Sequence, residues 1–327
     1  MMRLRRLFVV CLVVAFSVAV GVSMYGASDS IRVGLILKNL TNAWFTQTKD
    51  GAEQAAEDLN VDLRVLNCME NPEMHLNQVE DLLQLGVDAI VAFAPSIEEG
   101  VVAAGRAQEE GVPYILLDNY HENMTLAVMT SDNILGGQLQ AEYVVEQIGG
   151  EGVVVILQGK PGELSAQNRT AGNTQVYEKY PGIRVVGPYA GNWNAQTAME
   201  IMEDVIQAEP QIDAVVANND TMILGAIAAL EAAGRVEGVV TVGWDTIPDA
   251  IDAIREGKLN ASVDANAVWL GDTAVRAAVA IVNGKIGHRL PIEGVALVKQ
   301  AWGLEAALIQ DMEVLTANNV DLLYPED

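Results

Sequence analysis

From Ser30 onward, short apolar runs alternate with longer segments whose apolar positions recur every three or four residues. The short runs, bounded by turn residues, read as buried strands and the longer periodic segments as helices. Ile31 to Leu37 is a first strand, followed by a polar loop from Lys38 that ends in Trp44 and Phe45, and by a helix from Thr46 to Leu59. Val61 to Asn67 is the next strand; Asn71-Pro72-Glu73 opens a helix that Gly86 stops. Strand Ala89 to Phe93, helix Ile97 to Glu110, and strands Tyr114 to Leu117 and Ala127 to Thr130 follow, then a helix capped at Ser131-Asp132-Asn133 and running through Ile148. After a turn at Gly149-Gly150-Glu151-Gly152 the pattern restarts. Strand Val153 to Leu157, a loop from Gly159, a helix to Lys179, strand Ile183 to Val186 and helix Gln196 to Gln207 lead to strand Ile212 to Ala217. A helix from Thr221 to Gly234 and strand Val239 to Val242 complete the second series.

Strands alternating with helices of this length predict parallel sheets with right-handed crossovers. Two such series with no long linker predict an α/β fold of two doubly wound parallel-sheet lobes, joined by several short hinge crossings. In open sheets of this kind ligands bind outside the carboxyl ends of the strands. Several strand ends here carry polar or aromatic cargo: Asn42 and Trp44 after the first, Asp118 and Asn119 after the fourth, Asn219 and Asp220 in the second series, and Asp245 later. Carboxylates, amides and guanidinium groups hold hydroxyls, and an aromatic face covers the C–H side of a sugar ring. Each residue alone has a plainer explanation, Asn219 and Asp220 as helix caps, and Trp44, Trp193 and Trp244 as core. Their recurrence at strand ends points to a site.

Half of the 327 residues are hydrophobic, enough for two real cores. The balance of 19 Lys and Arg against 44 Asp and Glu gives a net charge of −25, which repels nucleic acid and anionic lipid. The first residues change the picture of where the protein works. Arg3, Arg5 and Arg6 precede an apolar run from Leu7 to about Val22, the n- and h-regions of an export signal, placed at residues 1–27. The run nearly reaches the length of a spanning helix, so an uncleaved N-terminal anchor is the alternative. Beyond that segment Cys68 is the one remaining cysteine and three histidines are scattered, so neither a disulfide, a metal nor another cofactor is expected. No GxSxG, HExxH or P-loop occurs; Gly159-Lys160-Pro161-Gly162 lacks the GK[ST] ending of a phosphate loop. An enzyme is not expected.

Five stretches carry a resemblance: LTNAWF with the following KDGAEQAA, TSDNILGGQLQAEYV, ILQGKPG with Arg169 downstream, ANNDTMILGAIAAL, and VGWDTIPDAIDAIREGKLNASV. In this order, over roughly residues 31–300, the chain resembles the periplasmic sugar-binding proteins of the ribose- and galactose-binding class, the capture subunits of ABC importers. The resemblance implies a monomeric, extracytoplasmic binder of a monosaccharide, polyol or similar hydroxylated ligand, delivered to a membrane permease. It also implies roles. Asn42 and Trp44 come from the first lobe, with Trp44 on one ring face; Asp118 accepts from two hydroxyls. Arg169 donates from the second lobe, Trp193 covers the opposite face, and Asn219 and Asp245 complete the polar ring. Lobe boundaries carried over in the same way are 31–131 plus 266–294 for the first and 132–265 plus 295–303 for the second. Residues 304–327 form a C-terminal extension, expected on the surface and packed through Val320, Leu322 and Leu323.

Three departures bear on the ligand. Asn119 stands where relatives place Arg or Lys after the Asp, and Lys38 on the first loop is the candidate replacement cation. Ala265 stands where Gln or Asn is expected, with Asp264 or Asn266 as substitutes after a one-residue shift. The calcium loop of the galactose type is absent. Lys38 also keeps open a signalling receptor of the same fold, presenting a sugar or furanose-like signal to a chemoreceptor or sensor kinase. A DNA-binding repressor of this fold would need a DNA-binding domain where the export signal stands.

Overall fold

The computed structural model describes residues 30–118, 127–284, 295–299, 305–309 and 312–325. The export signal at 1–27 and Asn119 lie outside the described residues. The first series runs β1 (Arg32–Leu37), α1 (Ala43–Leu59), β2 (Asp62–Asn67), α2 (Pro72–Leu85), β3 (Ala89–Ala92), α3 (Ile97–Glu109), β4 (Tyr114–Leu117) and β5 (Ala127–Ser131). The second runs α4 (Asn133–Ile148), β6 (Glu151–Gln158), α5 (Leu164–Tyr177), β7 (Gly182–Ala190), α6 (Ala195–Ala208), β8 (Ala214–Ala217), α7 (Asp220–Ala232), β9 (Val240–Trp244), α8 (Pro248–Arg255) and β10 (Ala261–Val263). Then come α9 (Ala267–Val282), β11 (Val295–Lys299), β12 (Glu305–Ile309), β13 (Val314–Thr316) and α10 (Val320–Leu323).

The strands form two sheets, β11-β12-β5-β4-β3-β1-β2 and β13-β10-β9-β8-β6-β7. Among the described residues all pairs are parallel except β11 with β12 and β10 with β13. Each sheet therefore repeats the doubly wound order 2-1-3-4-5, with a switch point beside its first strand, between β1 and β3 and between β6 and β8. The central strands are buried on both faces, as the apolar runs require: β3, β4 and β8 are buried throughout. Some boundaries differ from the sequence reading. α1 begins three residues earlier than Thr46 because Asn42 caps it, its side chain accepting from Trp44 N. The expected turn at Gly149–Gly152 is shorter, since Glu151 and Gly152 already pair with β7.

The chain crosses between the sheets after Ser131 and again at Asp264-Ala265-Asn266. α9 then packs on α1 of the first lobe. A reciprocal pair of glycines permits their close approach: a Cβ on Gly51 would lie 1.9 Å from Val268 O, and one on Gly271 1.8 Å from Thr48 O. The last crossing corrects the expected boundaries. Residues 295–299 do not join the second lobe, because β11 pairs with β12 and β12 lies parallel to β5, extending the first sheet. The apolar strands VALVK and EAALI complete a sheet edge, so the return to the second sheet falls between Ile309 and Val314. Nor is 304–327 a surface appendage throughout. Val320 is buried as expected, but Leu322 and Leu323 are exposed. The tail is held instead by Tyr324, whose hydroxyl donates to Asp264 Oδ2 at 2.7 Å, and by Arg255, which bonds Tyr324 O and pairs with Asp321.

Candidate ligand-binding cleft

The two sheets aim their carboxyl edges at one another, and the space between them is a cavity of about 340 Å³. Lys38, Asn42, Trp44, Asp118, Arg169, Trp193, Asn219 and Asp245 all line it.

On the first-lobe side the loop after β1 is pinned by Asn39, whose Oδ1 accepts from Thr41 N and Asn42 N. Asn42 spends its Oδ1 on the α1 cap at 2.9 Å, which sets Trp44 and Phe45 in the first turn. Trp44, Phe45 and Phe93 make a triad of edge-to-face contacts with centroids 5.1–5.4 Å apart. Trp44 is buried in this wall, and Phe45 reaches the cavity beside it. Asp118, directly after β4, takes a left-handed backbone (φ 70°). Aspartate tolerates that region better than most side chains.

On the second-lobe side Arg169, on α5, is the centre. Its guanidinium donates to Asn133 Oδ1 at 2.8 Å and Asn218 O at 2.6 Å, lies 4.1 Å from the Trp244 ring centroid and 5.6 Å from that of Trp193. Asp245 Oδ1 is 3.6 Å away. Burial lowers the Arg169 pKa, opposed first by Asp245. Burial pushes the Asp245 carboxyl well above its ordinary range, Arg169 pulling the other way and Asp220 adding to the rise. Asn219 caps α7 by accepting from Met222 N at 3.0 Å, so the capping and cleft readings of this residue hold together. Asp220 turns inward, away from the cavity. It accepts from Ser262 Oγ at 2.7 Å and Ile247 N at 3.1 Å, and burial pushes its pKa up to about 6. Trp244 is core, fully buried beneath Arg169.

Trp193 faces the cavity from a left-handed backbone (φ 63°) with its ring over Gly159, where a Cβ would come within 2.1 Å. The proposed replacements for the amide expected at Ala265 are corrected. Ala265 is buried, and neither neighbour lines the cavity. Asp264 accepts from Thr246, Tyr324 and Asn266 N, while Asn266 caps α9. Both side chains are spent on the crossing itself. Lys38 is buried, and its ammonium donates to Glu163 Oε1 of the opposite lobe at 3.1 Å. Sequence reasoning did not single out Glu163, Glu70 or Lys160, all of which line the cleft. Their partners across the cleft lie 90 to 125 residues away, so no local pattern marks them.

Comparison with known proteins agrees with this architecture. The ribose import binding protein of Salmonella typhimurium is 30% identical over 302 residues, covering 91% of this chain and all of that protein. The xylitol-binding protein of Mycolicibacterium smegmatis is 33% identical over 251 residues, 74% of this chain and 71% of the relative. Among solved structures, an ABC transporter solute-binding protein from Bacillus halodurans with bound myo-inositol superposes with a TM-score of 0.80 at 29% identity, covering 91% of this chain and 99% of that one. The model of the periplasmic binding protein domain matches residues 33–286. With two doubly wound lobes facing across a polar and aromatic cleft, the chain belongs to the periplasmic binding protein family, whose members bind solutes rather than transform them.

Proposed function

We infer that the chain is an exported capture protein that holds a monosaccharide or polyol between its lobes and delivers it to the membrane permease of an ABC importer. The observation that carries this reading is the convergence of hydroxyl-binding groups and aromatic rings from both lobes on one cavity. At about 340 Å³ it lies at the small end of ligand pockets. Trp193 supplies one apolar face and the Trp44–Phe45 wall the other; Asp118, Asn219, Asp245 and Arg169 address the hydroxyls between them. The cationic and anionic lining residues are nearly balanced in number, which suits a neutral ligand better than a phosphate or a polyanion. Relatives named for ribose, D-allose and xylitol, and a neighbour holding myo-inositol, support the same class. The basic and apolar start of the chain, read as an export signal, supports an extracytoplasmic location, the usual one of the family.

A thermal-shift screen across pentoses, hexoses, polyols and inositols tests the reading. A ligand of the native state alone raises the melting temperature with the logarithm of its concentration. At least one neutral compound of the four classes should do so. No shift with any compound of the four classes, against a shift with charged metabolites screened beside them, would replace the reading.

A further inference from the structure

Glu163 occupies the N-cap of α5, where a short polar side chain ordinarily bonds the first free N–H groups of the helix. Its side chain makes no such bond. The carboxylate reaches into the cleft instead. One oxygen accepts from Lys38 Nζ of the other lobe at 3.1 Å, and the second accepts from Trp193 Nε1 of its own lobe at 3.0 Å. Both partners line the cavity. A capping bond is thus exchanged for two contacts, one of which exists only when the lobes meet.

A second ion pair crosses the cleft beside this one with the signs exchanged, Lys160 of the second lobe on Glu70 of the first. Backbone bonds tie the two pairs together on each side: Glu70 N donates to Lys38 O at 2.7 Å, and Glu163 N to Lys160 O at 2.9 Å. Their surroundings differ. The side chains of the outer pair are 37% and 41% exposed, those of the inner pair 7% and 18%. An exposed pair contributes little, whereas removing one partner of a pair withdrawn from water leaves the other uncompensated. The inner pair is therefore where closure is felt.

The same carboxylate orients the stacking ring. Trp193 rests on Gly159 through its face, and Glu163 holds it by the indole N–H. Given the capture reading of the cleft, we propose that Glu163 is a positioning residue that couples lobe closure to ring stacking. Closure brings Lys38 onto Glu163, and the carboxylate so fixed presents the Trp193 face to the ligand.

The test uses the full mature chain with D-ribose, D-allose, xylitol and myo-inositol as probes, continuing with whichever raises the melting temperature most. Affinities are measured by calorimetry for wild type, Glu163→Gln, Lys38→Met, the double variant and Lys160→Met. Each inner-pair single variant should bind at least about tenfold more weakly. The double variant should lose at least about threefold less than the product of the single losses, because the two residues act as one unit. Lys160→Met should lose less than Lys38→Met. The ligand-induced change in tryptophan emission should survive in Glu163→Gln, which keeps an acceptor for the indole, and shrink in Glu163→Met. Independent, multiplicative losses, equal losses at Lys160 and Lys38, or an emission change indifferent to Glu163→Met would each overturn the proposal. Should none of the four probes bind, the capture reading is what fails. The coupling is then read from urea midpoints of the same variants, where non-additivity supports it and additivity overturns it.

Discussion

Arg169→Met isolates the electrostatics beneath the cleft. The substitution keeps most of the aliphatic volume but removes a guanidinium bonded to Asn133 Oδ1 and Asn218 O and facing Asp245 at 3.6 Å. Two buried acceptors lose a charged donor, a loss of about 2–4 kcal/mol that does not depend on pH. The second loss does. Asp245 is already raised by burial with Arg169 opposing, so without the arginine its folded pKa climbs further while its unfolded value stays ordinary. Between those two values the folded variant holds a proton that the unfolded chain does not. Its stability therefore falls as pH rises, by about 1.4 kcal/mol per unit over that window. Wild type shares this slope up to its own raised Asp245 pKa, so the gap between wild type and variant should open above that pKa and widen as pH rises, as measured by urea unfolding. Adding Asp245→Asn should flatten the slope and recover part of the loss at the higher pH. A deficit that does not grow with pH, or no recovery in the double variant, would refute the coupling of Arg169 to Asp245.

Other expectations address separate parts of the cleft and its supports. Trp193→Ala should weaken ligand binding at least tenfold, about 1.4 kcal/mol, in a protein that still unfolds cooperatively; unchanged affinity by calorimetry removes the ring from the site. Asp118→Ala should abolish detectable binding, and wild-type affinity there would mean that the second lobe holds the ligand. Asp220, with a folded pKa of about 6 against an ordinary value of 3.8, takes up its proton earlier in the folded protein. Wild-type stability should therefore gain on that of Asp220→Asn as pH falls through this window, by up to about 3 kcal/mol in urea titrations. Tyr324→Phe removes a donor from Asp264 and should lower stability by about 1.5–3 kcal/mol; no change in unfolding midpoint would show that the tail does not brace the crossing.

The two lobes were legible because a doubly wound sheet writes itself locally. Runs such as Tyr114 to Leu117 and Ala214 to Ala217 are buried on both faces and so are apolar without interruption, while Pro72 and Gly86 punctuate the helix between strands. The end of the chain was less legible. Its strands β11 and β12 are joined by an antiparallel pairing and reach back to β5, some 180 residues earlier, and nothing in VALVK or EAALI states which of two sheet edges will receive it. Tyr324 is equally silent in sequence. Its importance comes from Asp264 and Thr246, which the fold alone brings to it.

The cleft divides in the same way. Residues that face it from strand ends were found because a strand end before a helix is a local event: Asn42 and Asn219 are caps first, and the cap fixes where the cleft-facing side chains stand. Arg169 came from the family pattern, since a mid-helix arginine has no local signature of burial. What escaped is the set of contacts between lobes, Lys38 with Glu163 and Glu70 with Lys160. In a chain with 44 acidic residues, any one carboxylate reads as a solvated surface group. The fold distinguishes Glu163 by bringing Lys38 of the other lobe and Trp193 of its own to one carboxylate, and on the capture reading the approach of the lobes is what a ligand drives. Residues that contact the ligand decide which hydroxyls fit, whereas residues that meet across the cleft set the free energy of closing around them. Binding reports the combined result. On the proposed coupling, a change at Glu163 alters affinity while the polar ring stays intact, which the ring itself does not reveal.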